Sequence, residues 1–186
     1  MFLPLANMLK EYDYDGNKFP LAYLITARSF GSWLHGDERG AVDRHGKNIY
    51  GTIDIASNLQ LEKLMRENMK QSPVLFNQNQ RAAIEESINE VCWNRGYILK
   101  AVNCRSNHFH AVISAESKPE PIINALKSYA TRRLREENLI ANNVKIWARN
   151  GSRRYLWRPR YVSLAIEYVL YGQGDFDSFS KAETRP

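Results

Sequence analysis

The chain has 186 residues, of which 44% are hydrophobic and 25% charged, a composition typical of one soluble globular domain. No apolar run approaches the roughly 18 residues that span a bilayer, no secretory signal is evident, and the two cysteines match no metal or redox spacing. We therefore expect a cytoplasmic protein. The net charge is +6, and residues 95–160, with 14 basic and 4 acidic residues, hold a net +10. That concentration indicates a surface for a polyanion, although a basic face that serves only solubility would give the same count.

The first half of the chain predicts one strand and two helices. Residues 20–28 form a short apolar run with tyrosine and isoleucine, typical of a buried strand. A glycine- and charge-rich stretch follows and indicates a long loop, and residues 58–70 have a weakly helical pattern. Asn77 then opens a capping-box pattern, and apolar residues at helical spacing continue until Gly96 ends the helix.

The second half predicts two adjacent strands and two helices, at residues 97–104, 107–115, 119–138 and 162–170. Residues 145–158 are basic and aromatic without a clear period. The order of elements predicts an α+β fold, a ferredoxin-like sandwich in which helices pack on a central antiparallel sheet. We expect a single domain over residues 1–186, with 145–186 as a basic C-terminal extension and helix.

The sequence His108-Phe109-His110 lies within the second of the two adjacent strands. Alternate residues of a strand share a face, so both histidines point one way and Phe109 points the other way, toward a core. Two neighbouring neutral imidazoles are the start of a metal site. The alternative is a pair of histidines that face solvent or form hydrogen bonds with their neighbours.

Tyr129 lies on the apolar stripe of the following helix, with Arg132 and Arg133 about one turn later on the same side. Neighbouring guanidinium groups favour the phenolate form of tyrosine, and tyrosine serves enzymes as a covalent nucleophile. A packing role for the same ring is the alternative.

A basic and aromatic segment near the C-terminus predicts contacts with nucleic acid. Arginine binds phosphate in bidentate fashion, and aromatic rings stack on unpaired bases. A hairpin with its aromatic rings packed on the core and its arginines in solvent would have the same composition. Together with the two helix arginines, the predicted DNA-binding residues are Arg132, Arg133, Arg153, Arg154, Trp157 and Arg158.

This ordered set of features resembles the HUH single-tyrosine transposases, and among them the REP-associated tyrosine transposases. The residues that carry the resemblance are the histidine pair, the segment Ser128-Tyr-Ala-Thr-Arg-Arg-Leu-Arg135, the loop 30–40, the segment 153–157 and the helix segment 166–170. The histidine pair alone is a weak signal, but the set in this order is specific and covers most of the chain.

The resemblance implies a ferredoxin-like fold with His108 and His110 on a central strand, holding Mg²⁺ or Mn²⁺ against a DNA phosphate. It implies that Tyr129 attacks the phosphorus of single-stranded or hairpin DNA and forms a 5′-phosphotyrosine link. Relatives often carry a glutamine as third metal ligand one turn after the tyrosine, where this chain has Arg133. A guanidinium does not bind a metal, so water or Glu136 would have to replace it. Monomer and homodimer both remain open.

Three functions are consistent with these features. The first is a metal-dependent endonuclease and strand transferase for single-stranded DNA, in an active mobile element or a domesticated form. The second is a non-catalytic nucleic-acid-binding module, a repressor or an RNA binder, on the same scaffold. The third is a phosphoesterase that uses an activated water, which would leave cleaved DNA with no protein attached.

Overall fold

The computed structural model describes residues 16–32 and 58–172. The elements in chain order are β1 (Ala22–Arg28), α1 (Leu59–Glu67), α2 (Gln78–Arg95), β2 (Ile98–Cys104), β3 (His108–Ser114), α3 (Pro119–Glu136), β4 (Ser152–Leu156) and α4 (Pro159–Tyr171). The predicted elements are present within a few residues of their predicted bounds. The predicted N-terminal lead-in up to residue 15, the predicted loop from residue 33 on and the C-terminal tail from residue 173 lie outside the described residues.

The four strands form one antiparallel sheet in the order β2-β3-β1-β4. With α2 before β2 and α3 before β4, this is the order of the ferredoxin-like fold, and the predicted α+β sandwich is confirmed. Helix α4 is an addition that follows the last strand.

Strand β4 was not predicted from the sequence, because residues 152–156 lack an alternation of apolar and polar side chains. It is an edge strand, and only Leu156 among its side chains is buried. Its pairing partner is β1, with Ala22 opposite Leu156 and Thr26 opposite Ser152. An edge strand that is largely exposed has little need of apolar residues, so its pattern carries little signal.

The helix ends follow local chemistry. The side chain of Asn77 accepts a hydrogen bond from the backbone N–H of Gln80, and the Gln80 side chain accepts one from the backbone N–H of Asn77, as the predicted capping box requires. Gly96 and Gly172 end α2 and α4 in left-handed backbone conformations, with φ of 66° and 61°. None of the helices within the described ranges has the length and apolarity needed to cross a membrane.

The two faces of the sheet are covered by different helices. One face, which we call the core face, is covered by α2 and α3 and carries Tyr23, Ile25, Phe109, Ala111 and Ile113. The other, which we call the histidine face, carries Leu24, Val112 and Leu156 beneath Val162, Ala165 and Val169 of α4. Each large buried aliphatic side chain contributes roughly 1.5–3 kcal/mol. A slip of one residue would exchange the two faces, so both sets of contacts fix the register.

Candidate active site on the histidine face

His108 and His110 lie together on the histidine face, as the alternation of β3 predicts. Their ring centroids are 4.6 Å apart, while the intervening Phe109 is fully buried in the core face. Nδ1 of His108 lies 2.6 Å from the side-chain oxygen of Asn107. With that oxygen as acceptor, Nδ1 carries the hydrogen and the lone pair of the ring lies on Nε2.

His110 is 9% exposed, and its Nδ1 lies 2.7 Å from Oγ1 of Thr26, its cross-strand neighbour on β1. Its pKa is lowered to about 3, first by burial and then by the electrostatic effect of His108, Arg105 and Arg28. His110 is therefore neutral at physiological pH, which is the form that binds metal ions.

Among the tyrosines that the structure describes, Tyr168 of α4 is the one whose ring packs against a histidine of the pair. Its ring centroid lies 5.2 Å from that of His110, at an interplanar angle of 69°. The contact arises because α4 packs on the histidine face through Ala165 and Val169, and Tyr168 flanks this apolar stripe. Tyr168 is not among the site residues predicted from the sequence. Its position beside the stripe of the last helix was a usable signal, but only if that helix was known to cover this face.

Tyr129 does not converge with the histidines, contrary to the arrangement that the resemblance implied. It lies on α3, half-buried against the cluster beneath the core face, and the Arg132 guanidinium stands 4.4 Å from its ring centroid. The apolar stripe of α3 docks on the core face, whereas the strand period points His108 and His110 to the opposite face. The alternative of a packing role describes the observed position of this ring.

Acidic residues surround the two predicted DNA-binding arginines of α3. Arg132 lies 3.2 Å from a carboxylate oxygen of Glu90, and Arg133 lies 3.2 Å from the other oxygen and 3.1 Å from Glu137. Glu136, the proposed replacement for a third metal ligand, also lies on α3, 3.8 Å from Arg132, away from the histidine face. Glu90 of α2 therefore offsets part of the net charge counted along residues 95–160, a count that already includes Glu136 and Glu137.

The predicted DNA-binding residues of the C-terminal segment divide between the two faces of the sheet. Arg153 is in register with Ile25 of the core face and pairs with Glu120 at 2.8 Å, whereas Arg154 is in register with Leu24 of the histidine face. The Trp157 ring is nearly parallel to that of Tyr155, with centroids 6.4 Å apart. Arg158 is exposed and precedes α4 as its N-cap residue.

A separate cleft of about 580 Å³ runs along α3 rather than beside the histidines. Trp147 lines it and donates its indole N–H to the hydroxyl of Thr131 at 3.0 Å. Lys127 closes one side by donating to the backbone carbonyls of Ala148 and Asn150, each at 2.8 Å. The cleft and the histidine pair are thus distinct features.

The donor set at the histidines fits a weakly held divalent cation. Both rings have Nδ1 in hydrogen bonds, as metal-binding histidines do. Within residues 16–32 and 58–172, no group of three or more histidine, cysteine or carboxylate side chains is arranged to hold a metal. Two imidazoles would leave most positions of a divalent ion to water, to a substrate oxygen or to side chains from the rest of the chain.

The chain is similar to a family of known proteins and to a solved structure. The model of the family described as "Transposase IS200 like" matches residues 56–171, which include both histidines and Tyr168. Among solved structures, the chain is similar to one described as "Structure of the REP associates tyrosine transposase bound to a REP hairpin", with 9% sequence identity and a TM-score of 0.42. That similarity covers 80% of this chain and 63% of the other, so the chain spans less than two thirds of its length. No curated protein sequence matches.

Proposed function

Because the chain belongs to the IS200-like transposase family, we propose that it cuts and rejoins single-stranded, hairpin-forming DNA by metal-assisted attack of a tyrosine on a phosphodiester. Tyr168 is the nucleophile of this proposal, and His108 and His110 are the metal ligands. The observation that carries it is the packing of the Tyr168 ring against His110, with centroids 5.2 Å apart.

Tyr129, the nucleophile predicted from the sequence, has less structural support. Attack on a phosphate held at the histidines needs a phenol on the same side of the sheet, and Tyr129 packs beneath the core face. A contribution from Tyr129 would require a second copy of the chain to present it. The two tyrosines therefore make a matched pair for a test.

In the proposed reaction the Tyr168 phenol loses its proton and its oxygen bonds to phosphorus. The bond between phosphorus and the DNA O3′ breaks, and the departing O3′ takes up a proton. The products are a 5′-phosphotyrosine link and a free 3′-hydroxyl. The phosphotyrosine bond conserves the energy of the phosphodiester, so attack by another 3′-hydroxyl rejoins the strand without a nucleotide cofactor.

When bound, a divalent cation such as Mg²⁺ or Mn²⁺ supplies Lewis-acid polarisation of the phosphate and orients it. Thr26 and Asn107 would hold the two imidazoles in place through Nδ1.

The test is formation of a covalent adduct. The protein is incubated with Mn²⁺ and a pool of labelled hairpins that carry single-stranded flanks, and a denaturing gel shows any DNA linked to protein. We expect an adduct with the wild type and with Tyr129→Phe, and none with Tyr168→Phe or His110→Ala. Mass spectrometry of the digested adduct should identify residue 168 as the modified position.

The other outcomes of this test separate the competing functions. An adduct that persists in Tyr168→Phe but is absent from Tyr129→Phe would refute the assignment of Tyr168 and restore that of Tyr129. Cleaved DNA without attached protein would indicate a phosphoesterase. Binding without cleavage, unaffected by loss of His108 and His110, would indicate a non-catalytic nucleic-acid-binding module.

A further inference from the structure

Arg105 lies between the histidine pair and the end of α4. It occupies the turn between β2 and β3, where its backbone N–H donates to the carbonyl of His108 at 2.7 Å. Its exposed side chain reaches Gly172, the C-cap residue of α4, so closely that a Cβ at position 172 would overlap Nη2 and stand 3.4 Å from Cζ. Because Gly172 donates its N–H to the carbonyl of Tyr168 at 2.9 Å, the Arg105 guanidinium lies against the helical turn that carries Tyr168.

Arg28 lies on the other side of the same site. It is directly opposite His108 across β1 and β3, so the two residues share the histidine face. Arg28 on β1 and Arg105 in the turn between β2 and β3 therefore border the histidine pair from separate elements.

Among residues 16–32 and 58–172, no carboxylate forms an ion pair with the Arg105 guanidinium. The arginines of α3 differ, since Arg132 and Arg133 share the carboxylate of Glu90. The Arg105 guanidinium lies beside neutral imidazoles, which do not balance its charge. An anion that contacts the guanidinium and the histidine site at the same time would therefore be stabilised there.

We propose that Arg105 and Arg28 bind the non-bridging oxygens of a DNA phosphodiester beside His110, within reach of Tyr168. Arginine suits this task because its planar guanidinium donates two parallel hydrogen bonds to phosphate. The statement that this phosphate is the one attacked by Tyr168 rests on the proposed function. The binding of phosphate by the two arginines is independent of the proposed function, because it requires neither a metal ion nor a reaction.

Gly172 takes part in this arrangement by leaving room for the guanidinium. A methyl group at position 172 would displace Arg105 from the end of α4, and it would also strain a left-handed backbone. Gly172→Ala is therefore expected to weaken phosphate binding because it displaces Arg105, and it should have no effect once the Arg105 guanidinium has been removed.

The experiment measures binding of a labelled oligothymidine by fluorescence anisotropy in EDTA over a series of salt concentrations. Arg105→Gln should weaken binding roughly tenfold, as expected for loss of a charged hydrogen-bonded pair, and should reduce the slope of log K against log salt by about 0.7. Arg28→Gln should likewise weaken binding and reduce the salt slope. The control Arg95→Gln removes an exposed arginine from the end of α2 and should change neither quantity.

Two further variants test the geometry. Arg105→Lys keeps the charge and should retain the salt slope while losing part of the affinity, because an ammonium does not donate the bidentate pair. Gly172→Ala should weaken binding in the wild-type background and have no further effect in Arg105→Gln, as a double-mutant cycle would reveal. Thermal melts show that each variant is folded.

Unchanged affinity and salt slope in both folded variants, Arg105→Gln and Arg28→Gln, would overturn the inference. The same would follow if Arg95→Gln weakened binding as much as Arg105→Gln, since the loss would then be one of general charge. Failure of the wild type to form a covalent adduct would refute the proposed function instead. The binding result would still decide whether the two arginines hold phosphate.

Discussion

Thr26 orients the ring of His110, and replacing it with valine should weaken both the fold and the metal site. The threonine hydroxyl lies 2.7 Å from Nδ1 of His110, whose side chain is 9% exposed. Valine keeps the branched shape of threonine but removes the hydroxyl. Nδ1 then loses its partner in a place that water reaches poorly.

The size of the effect follows from burial. A buried polar atom left without a partner costs about 1–3 kcal/mol, and Thr26 is itself only half-buried, so water recovers part of that cost. We expect Thr26→Val to lower the free energy of unfolding by about 1–2 kcal/mol and Tm by about 2–8 °C. Loss of a hydrogen bond that orients a metal-binding histidine should weaken Mn²⁺ binding by roughly 10–100-fold.

Urea denaturation measures the first quantity, and titration of Mn²⁺ followed by electron paramagnetic resonance measures the second. Thr26→Ser keeps a hydroxyl and should retain most of the stability and most of the Mn²⁺ affinity. Ser152→Ala is the matched control, because Ser152 pairs with Thr26 from the exposed strand β4. Unchanged stability and Mn²⁺ affinity in Thr26→Val would refute the reasoning. A loss of stability alone would limit Thr26 to a structural role.

Three more predictions concern the core, the thiols and the surface charge. Phe109→Ala should lower the free energy of unfolding by about 3–5 kcal/mol, measured with urea, because the ring is fully buried; a loss below about 1 kcal/mol would contradict the assigned core. Cys92 and Cys104 should resist a thiol reagent at about pH 8 until the protein is denatured, since burial raises their pKa to about 11 and about 12; rapid labelling of the folded protein would be inconsistent with this. Glu90→Gln removes the carboxylate shared by the arginines of α3. If those arginines contact DNA, oligothymidine affinity in anisotropy should rise roughly two- to fivefold; an unchanged affinity would count against their predicted role.

The sequence by itself determined those features that a single segment controls. The two-residue period of a strand is sufficient to put His108 and His110 on one face and Phe109 on the other, whatever the rest of the chain does. The ends of α2 were likewise predictable, because Asn77 and Gly96 act on the backbone of their own helix. The fold class followed from the order of such segments.

The tertiary structure decided which distant residues meet. Tyr129 and Tyr168 both lie beside the apolar stripe of a helix, and no local pattern states which face of the sheet each helix covers. Packing places α3 on the core face and α4 on the histidine face, so Tyr168 contacts His110 and Tyr129 does not. Arg28 is also beyond the reach of local patterns, because its nearness to His108 depends on the register between β1 and β3. Short stretches of sequence determine the apolar stripe of each helix and the two faces of each strand. Which helix covers which face of the sheet depends on the packing of the whole core.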